Sequence, residues 1–251
     1  MSLRIKEYTV DYLLTAGECN PEEKMPVQLL VSRIIEVATF HANHLDVGFA
    51  RLSLEGLAWV LSRVSLEMKR WPGVNETYSL STWVEDVNRH FSQRNFEIKS
   101  GDEVLGYASS VWMGIDVKKR QSGDLSLLES MRDVISDKRC PIDRFPRINF
   151  SSDGQVMTGN DYRFRYCDCD FNRHVNTVRY VELLLNEWDL DFYDAHKVRR
   201  FDIAFMHEAR YGEEVVVTRQ KSSDDDNAYL CMISRGGEPL SKARIIFTNN
   251  I

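Results

Sequence analysis

Asp170, Asn172 and His174 alternate within YCDCDFNRHVNTVRYVELLLNEW, residues 166–188, just before a stretch of helical apolar periodicity. In an extended segment alternate residues point to one side, so a carboxylate, a carboxamide and an imidazole would converge. They would meet where a helix begins. Unpaired N–H groups and the positive end of the helix dipole favour a developing negative charge there. A thioester carbonyl attacked by water develops such an oxyanion. Asp and Asn are also preferred helix caps. A bare D-x-N-x-H therefore fits a capping loop as well as a catalytic one.

An internal control separates the two readings. The chain reads as one unit written twice, and the first copy has ECNPEEKMP where the second has DCDFNRH. Asn20 stands near the right place, but no histidine precedes the first helix. A fold requirement would recur in both copies, so a set present in one points to a single active site. A further candidate is Glu208 in FMHEARYGEE, residues 205–214. An acidic residue pointing inward from an apolar strand is costly unless it is paired or working. Beside a neutral imidazole it could hold and deprotonate water. A solvent-facing glutamate at a strand end is the plainer alternative.

Other reactive residues give weaker patterns. Cys167 and Cys169 have no second cysteine pair to complete a four-ligand zinc site. Packing beside the loop suits them better than a nucleophilic role with His174. His41 falls on an apolar helix face as a core histidine, and Trp59, Trp71, Trp83 and Trp112 read as packing residues or as the lining of an apolar tunnel. No G-x-S-x-G, Walker A or G-x-G-x-x-G element occurs, which removes support for serine-hydrolase, P-loop and dinucleotide chemistry.

The elements that must position these residues follow from periodicity. Val27, Leu30, Val31, Ile34, Ala38 and His41 predict a helix over 26–41, with Pro26 at its first position. Val175, Val178, Val181, Leu184, Leu185 and Trp188 predict a second over 174–188. Strands are expected at 79–87, 91–116 and around Trp59 in the first half, and across 199–220, 228–240 and 241–247 in the second. IKSGDEVLGYA and ISRGGEPLSKA align in step, each with the glycine turn a β-hairpin needs. Residues from Val117 to about Gly154 read as a linker with a short amphipathic segment at Leu128, Met131 and Val134 or Ile135. The expected division is 1–130, a linker over 131–154, and 155–251. One helix amid antiparallel strands, twice over, predicts an α+β fold, each copy a curved sheet wrapped around a central helix.

Composition sets outer bounds. The 251 residues are 43% hydrophobic and 28% charged, a globular balance. No apolar run reaches the 18 residues of a membrane span, and no secretory signal is visible. Five cysteines, an odd number without framework spacing, fit a reducing cytoplasm. The net charge of −6 argues against nucleic acid as a partner.

DCDFNRHVNTVRYVELLLNEW resembles the D-x-N-x-H-V-N-N-x-x-Y signature of plant and bacterial acyl-acyl carrier protein thioesterases. HANHLDVGFA and GLAWVLSRVSLEMKRWPGVNE resemble that family's N-terminal half. The resemblance implies a tandem double hotdog, with an acyl pocket in the first copy and catalysis in the second. It implies Asp170, Asn172, His174 and Glu208 as site residues. Glu208 would orient or deprotonate water with His174 assisting, Asn172 would position the carbonyl or water, and Asp170 would fix its neighbours. Helix-start N–H groups would receive the oxyanion. Ala209 follows Glu208 where plant members have cysteine, which weakens a thiol route. The implied reaction releases free fatty acid from acyl carrier protein bearing a phosphopantetheine-linked acyl chain, with no cofactor or metal, in a cytoplasmic monomer or homodimer. The rivals are an acyl-CoA thioesterase, a hotdog hydratase and a non-catalytic acyl-binding protein. An acidic carrier would need a local basic patch, for which Lys118, Lys119, Arg120, Lys197, Arg199 and Arg200 are candidates.

Overall fold

The computed structural model describes residues 5–125, 131–151 and 155–250. The first half contains β1 (Glu7–Leu13), α1 (Val27–His44), α2 (Phe49–Leu54), β2 (Leu57–Met68), β3 (Thr77–Val87), β4 (Phe91–Ser100), β5 (Glu103–Asp116) and the short β6 (Gln121–Ser122). The second contains β7 (Val156–Arg163), α3 (Thr177–Leu185), α4 (Leu190–Ala195), β8 (His196–Phe205), β9 (Glu214–Lys221), β10 (Ala228–Arg235) and β11 (Glu238–Asn249). All strands join one antiparallel sheet in the order β1-β3-β4-β5-β2-β8-β11-β10-β9-β7, with β6 on β5. Read inward from each edge, the halves have the same order. They meet where β2 pairs with β8, Val64 opposite Ile203 and Ser65 opposite Asp202.

Each half thus has a long helix against its sheet, the tandem α+β hotdog arrangement. Val27, Leu30, Val31, Ile34, Val37, Ala38, His41 and Ala42 form the buried stripe of α1, recurring every three or four residues. Tyr180, Val181 and Leu184 do the same for α3. Both stripes enter one apolar core, and α1 packs on α3, so the halves share an interior. A smaller cluster holds Leu45, Val47, Leu52, Val84 and Leu125 with Met131 and Val134, which lie in a 3-10 turn over 131–134. Leu128 lies outside the described residues.

Helix boundaries differ from expectation for local reasons. Pro26 is the N-cap of α1, in extended backbone (φ −74°, ψ 150°), and the helix continues to His44. The second helix has nine residues instead of fifteen. His174 and Val175 are held in β-bridges to Arg210 and Cys169, and the Asn176 side chain caps at Val178. Trp188, beyond the helix, packs among Phe192, Tyr229 and Phe247. Both β-hairpins read from the glycine turns are present, and Gly236 and Gly237 take positive φ (56° and 87°), as the tightest hairpin turn requires. The expectation missed β1 and β7, edge strands with little buried side chain and so a weak apolar alternation. None of the described helices is long and apolar enough to cross a membrane.

Candidate active site

The segment with Asp170, Asn172 and His174 is a tight turn, not the extended run that sequence alternation predicts. Asp170 Oδ1 accepts from the Asn172 amide at 2.9 Å and the His174 amide at 3.1 Å. The Asp170 amide donates to the His174 carbonyl at 2.8 Å, and Arg173 sits at φ 63°. The first copy builds the same turn. Asn20 Oδ1 accepts from the Lys24 amide at 2.8 Å, the Asn20 amide donates to the Lys24 carbonyl at 2.9 Å, and Glu23 sits at φ 57°. Lys24 bridges Gly73 as His174 bridges Arg210.

The two turns therefore match in the bonds that close them. Asp170 corresponds to Asn20 and shares its turn-forming bonds, so its visible work is structural in both copies. Asn172, His174 and Glu208 correspond to Glu22, Lys24 and Trp71. Trp71 is buried and donates through Nε1 to the Val198 carbonyl at 2.8 Å. The asymmetry therefore lies in three residues.

His174 and Glu208 come together, with Nε2 3.4 Å from Oε2. Glu208 lies in the loop after β8, not in a strand, and is about half exposed. The loop leaves the sheet because the Met206 and His207 amides both turn to the Leu240 carbonyl. The neighbouring Ala209 amide donates to the Tyr180 hydroxyl at 2.9 Å, the Ala209 carbonyl accepts from Val175, and Arg235 reaches the Glu208 carbonyl at 3.4 Å. Burial raises the Tyr180 phenol to about 12, so it stays neutral in this anchor. Arg120, from the β5–β6 turn of the other half, donates to Glu208 Oε2 at 2.5 Å. No spacing or motif links Arg120 to Glu208, so that clamp is visible only in the fold.

Arg120 is therefore not a free cation for a carrier. Arg200 is buried and paired with Asp202 at 2.9 Å, and Arg199 pairs with Glu67 at 3.2 Å. Of the six cations expected to receive a carrier, Arg120, Arg199 and Arg200 thus face carboxylates of the chain itself.

A cavity of 580 Å³ opens beside the pair. Ile35, Ala38, Ala42, Trp59, Leu61 and Trp112 supply its apolar wall from the first half, and Asn172, His174, Thr177 and Glu208 close it from the second. Ile34, one residue around the helix from Ile35, faces the common core and not this wall. At the rim, exposed Phe49 and Phe171 meet edge to face across the halves. A second hollow of 340 Å³ is lined by Asn172, Arg173, His174, Arg210 and Tyr211. His174 and Asn172 border both.

Backbone donors around the turn are mostly engaged. The amides of His174, Val175, Asn176 and Val178 go to Asp170, Ala209, Asp168 and Asn176. Among the described residues, the Thr177 amide, on the cavity wall, has no acceptor. Cys169 Sγ donates to the Arg165 carbonyl, and Cys19 makes the same bond to Thr15 in the copy without a histidine. That shared bond gives Cys169 a structural place. No three His, Cys, Asp or Glu side chains gather as a metal site among the described residues.

Comparisons with known proteins bear on this geometry. Residues 5–126 match the acyl-ACP thioesterase N-terminal domain, and residues 151–249 match its C-terminal domain. The chain is 23% identical, over 92% of its length, to the chloroplastic oleoyl-acyl carrier protein thioesterase of Coriandrum sativum, and covers 67% of that protein. It spans about two thirds or less of the length of the curated relatives it matches. An acyl-ACP thioesterase from Bacteroides thetaiotaomicron superposes with a TM-score of 0.90 at 29% identity, covering 97% of this chain and 98% of that one. The 12:0-ACP thioesterase of Umbellularia californica shares the fold, with a TM-score of 0.81 at 18% identity, covering 99% of this chain and 96% of that one. With both halves matched to their family domains in order, the chain belongs to the acyl-ACP thioesterase family.

Proposed function

We propose that the chain hydrolyses long acyl thioesters carried by acyl carrier protein, releasing a free fatty acid and the carrier thiol. The observation that carries this reading is the position of His174, paired with Glu208, between an apolar cavity and a small arginine-lined hollow. A thioester spanning the two would place its acyl chain in the first, its pantetheine arm in the second and its carbonyl at His174.

Water between Glu208 and His174 would attack the carbonyl carbon as its proton passes to that pair. The carbonyl oxygen becomes an oxyanion, for which the Asn172 carboxamide and the Thr177 amide are the nearby donors. Collapse of the intermediate breaks the C–S bond, and the thiolate leaves with the proton the base had taken. Arg120 would hold Glu208 toward His174 across the two halves, and Asp170 would keep the turn that presents Asn172 and His174. Residues 1–130 would then bind the acyl chain and 155–251 would cut it, joined by 131–154.

Mass spectrometry of products from acyl-ACPs of graded length tests the reaction. Free acid is expected; an enoyl thioester, or unchanged substrate at every length, would reject hydrolysis. In the same panel Ala38→Leu, on the cavity wall, should move the preference toward shorter chains, since each methylene denied its place forfeits about 0.8 kcal/mol. An unchanged length profile would remove the acyl chain from this cavity.

Arg173 and Arg210 are exposed, and no ion pair engages either side chain among the described residues. They suit the phosphate of a phosphopantetheine arm, and replace the patch expected from sequence. The paired change Arg173→Gln and Arg210→Gln should raise KM for acyl-ACP about tenfold, the size of one lost charge-assisted bond. Little change is expected on an acyl-pantetheine without phosphate, and equal losses on both substrates would show that the arginines serve the fold. Since CoA carries the same arm, matched acyl-ACP and acyl-CoA substrates decide the carrier.

A further inference from the structure

Arg94, in β4, is 5% exposed and lines the 580 Å³ cavity. Its Nη1 lies 2.7 Å from His41 Nδ1 and 3.5 Å from Thr82 Oγ1. Among the described residues no carboxylate lies within ion-pair distance of it. His41 is itself buried, with Nε2 3.0 Å from the Ile5 carbonyl. An arginine donating to Nδ1 leaves the ring proton on Nε2, so His41 is a neutral acceptor and supplies no counter-charge. Burial, then the nearby guanidinium, lowers His41 to about 4, in agreement with that tautomer. Burial pulls Arg94 down only to about 10, so it remains charged at neutral pH.

Two residues earlier on the same strand, Ser92 is 4% exposed and also lines the cavity. Its Oγ is buried with no hydrogen-bond partner. Alternate residues of a strand share a face, so an unpaired cation and an unpaired hydroxyl stand together in a wall otherwise built for hydrocarbon. Packing a plain alkyl chain over them would desolvate both without replacing the lost bonds with water. A buried charge without a partner is the costliest feature a cavity wall can have, unless the ligand supplies the partner. The wall also stands on a different strand from the one that leads into the Glu208 loop. β4 is three strands from β8, across β5 and β2, which is about 14 Å along the sheet.

We propose that Arg94 and Ser92 form a subsite for an acceptor oxygen on the distal part of the acyl chain, with a carboxylate satisfying it most fully. The substrates so selected are oxygenated acyl thioesters, a half-thioester of a dicarboxylic acid or a hydroxyacyl thioester, in preference to a plain alkyl chain of equal length. Arg94 supplies the charged donors, Ser92 the hydroxyl, and His41 fixes the guanidinium from behind. The inference rests on the cavity being the acyl site, but not on which carrier delivers the thioester.

The test compares kcat/KM for three series of acyl-pantetheine thioesters of matched length: unsubstituted, terminally hydroxylated and terminally carboxylated. At the lengths that reach the wall, the wild-type protein should favour an oxygenated chain about tenfold, the size of one charge-assisted hydrogen bond. Arg94→Met should reduce that ratio to one or below, and Arg94→Lys should retain part of it. Calorimetric binding of the free dicarboxylic acid, measured without turnover, should follow the same order. A wild-type preference for the plain chain at every length overturns the proposal and needs no variant to fold. The same ratio in Arg94→Met as in wild type overturns it too. Failure to hydrolyse the three series and acyl-ACP alike, with the dicarboxylic acid still bound through Arg94, would refute the thioesterase reading and leave the subsite standing.

Discussion

His174→Ala, Asn172→Ala and Glu208→Gln are each expected to lower kcat by about 100-fold or more, the usual loss when a positioned catalytic group is removed. Asp170→Asn, by contrast, should cost less than tenfold. The first copy already builds the same turn from Asn20, whose side-chain oxygen accepts the Lys24 amide as Asp170 accepts the His174 amide. Asparagine at 170 keeps that acceptor and removes only the charge. Steady-state kinetics on one acyl-ACP, with folding checked by circular dichroism, distinguish the cases. If Asp170→Asn is as damaging as His174→Ala, the carboxylate takes part in the chemistry beyond holding the turn. Near-normal turnover in His174→Ala and Glu208→Gln would mean that the reacting centre lies elsewhere.

The second large effect concerns stability. Arg200 and Asp202 are both buried and pair at 2.9 Å close to the β2–β8 seam, where Asp202 stands opposite Ser65. The Arg200 guanidinium also reaches Glu67 at 3.2 Å and the carbonyls of Asp143 and Arg144, so it ties the connecting segment to the junction of the halves. Asp202→Ala leaves that cation without its closest partner and should destabilise the fold by about 3 kcal/mol. For a chain of this size, the melting temperature should fall by roughly 6 to 12 °C. Activity per folded molecule should hold, since Asp202 lies outside the cavity. Replacing both residues by apolar ones of similar volume should recover most of the loss. A drop of 1 °C or less in the single variant would show that Glu67 and the carbonyls suffice.

Much of this architecture was legible because it rests on repetition. Helical spacing at Leu30, Ile34 and Ala38 and glycine turns near 101 and 236 are local signals, and local rules govern them. The pairing of His174 with Glu208 was legible in kind, since a polar set in one copy alone needs a reason. Its geometry was not. Alternation suggested an extended run, but Asp170 takes the amides of Asn172 and His174 and curls the segment, a competition between side chain and ladder that sequence spacing does not report. Arg120 read as a docking cation because charge is visible in sequence and partners are not; its partner Glu208 lies 88 residues away. Arg94 carries no signal of its own inside FSQRNFEIKS, where the face to which a polar residue turns depends on the register of β4 with β5.

The join of two copies in one chain has an evolutionary consequence. In a dimer of identical subunits, every substitution appears twice, at both symmetry-related places. A residue that improves chemistry in one pocket must then be tolerated in the other. Covalent duplication lifts that restriction. Here one copy carries His174 and Glu208, and the corresponding positions of the other hold Lys24 and a tryptophan that fills space. The symmetry of the two turns is kept in their backbone, while their side chains, held in one chain, are free to differ.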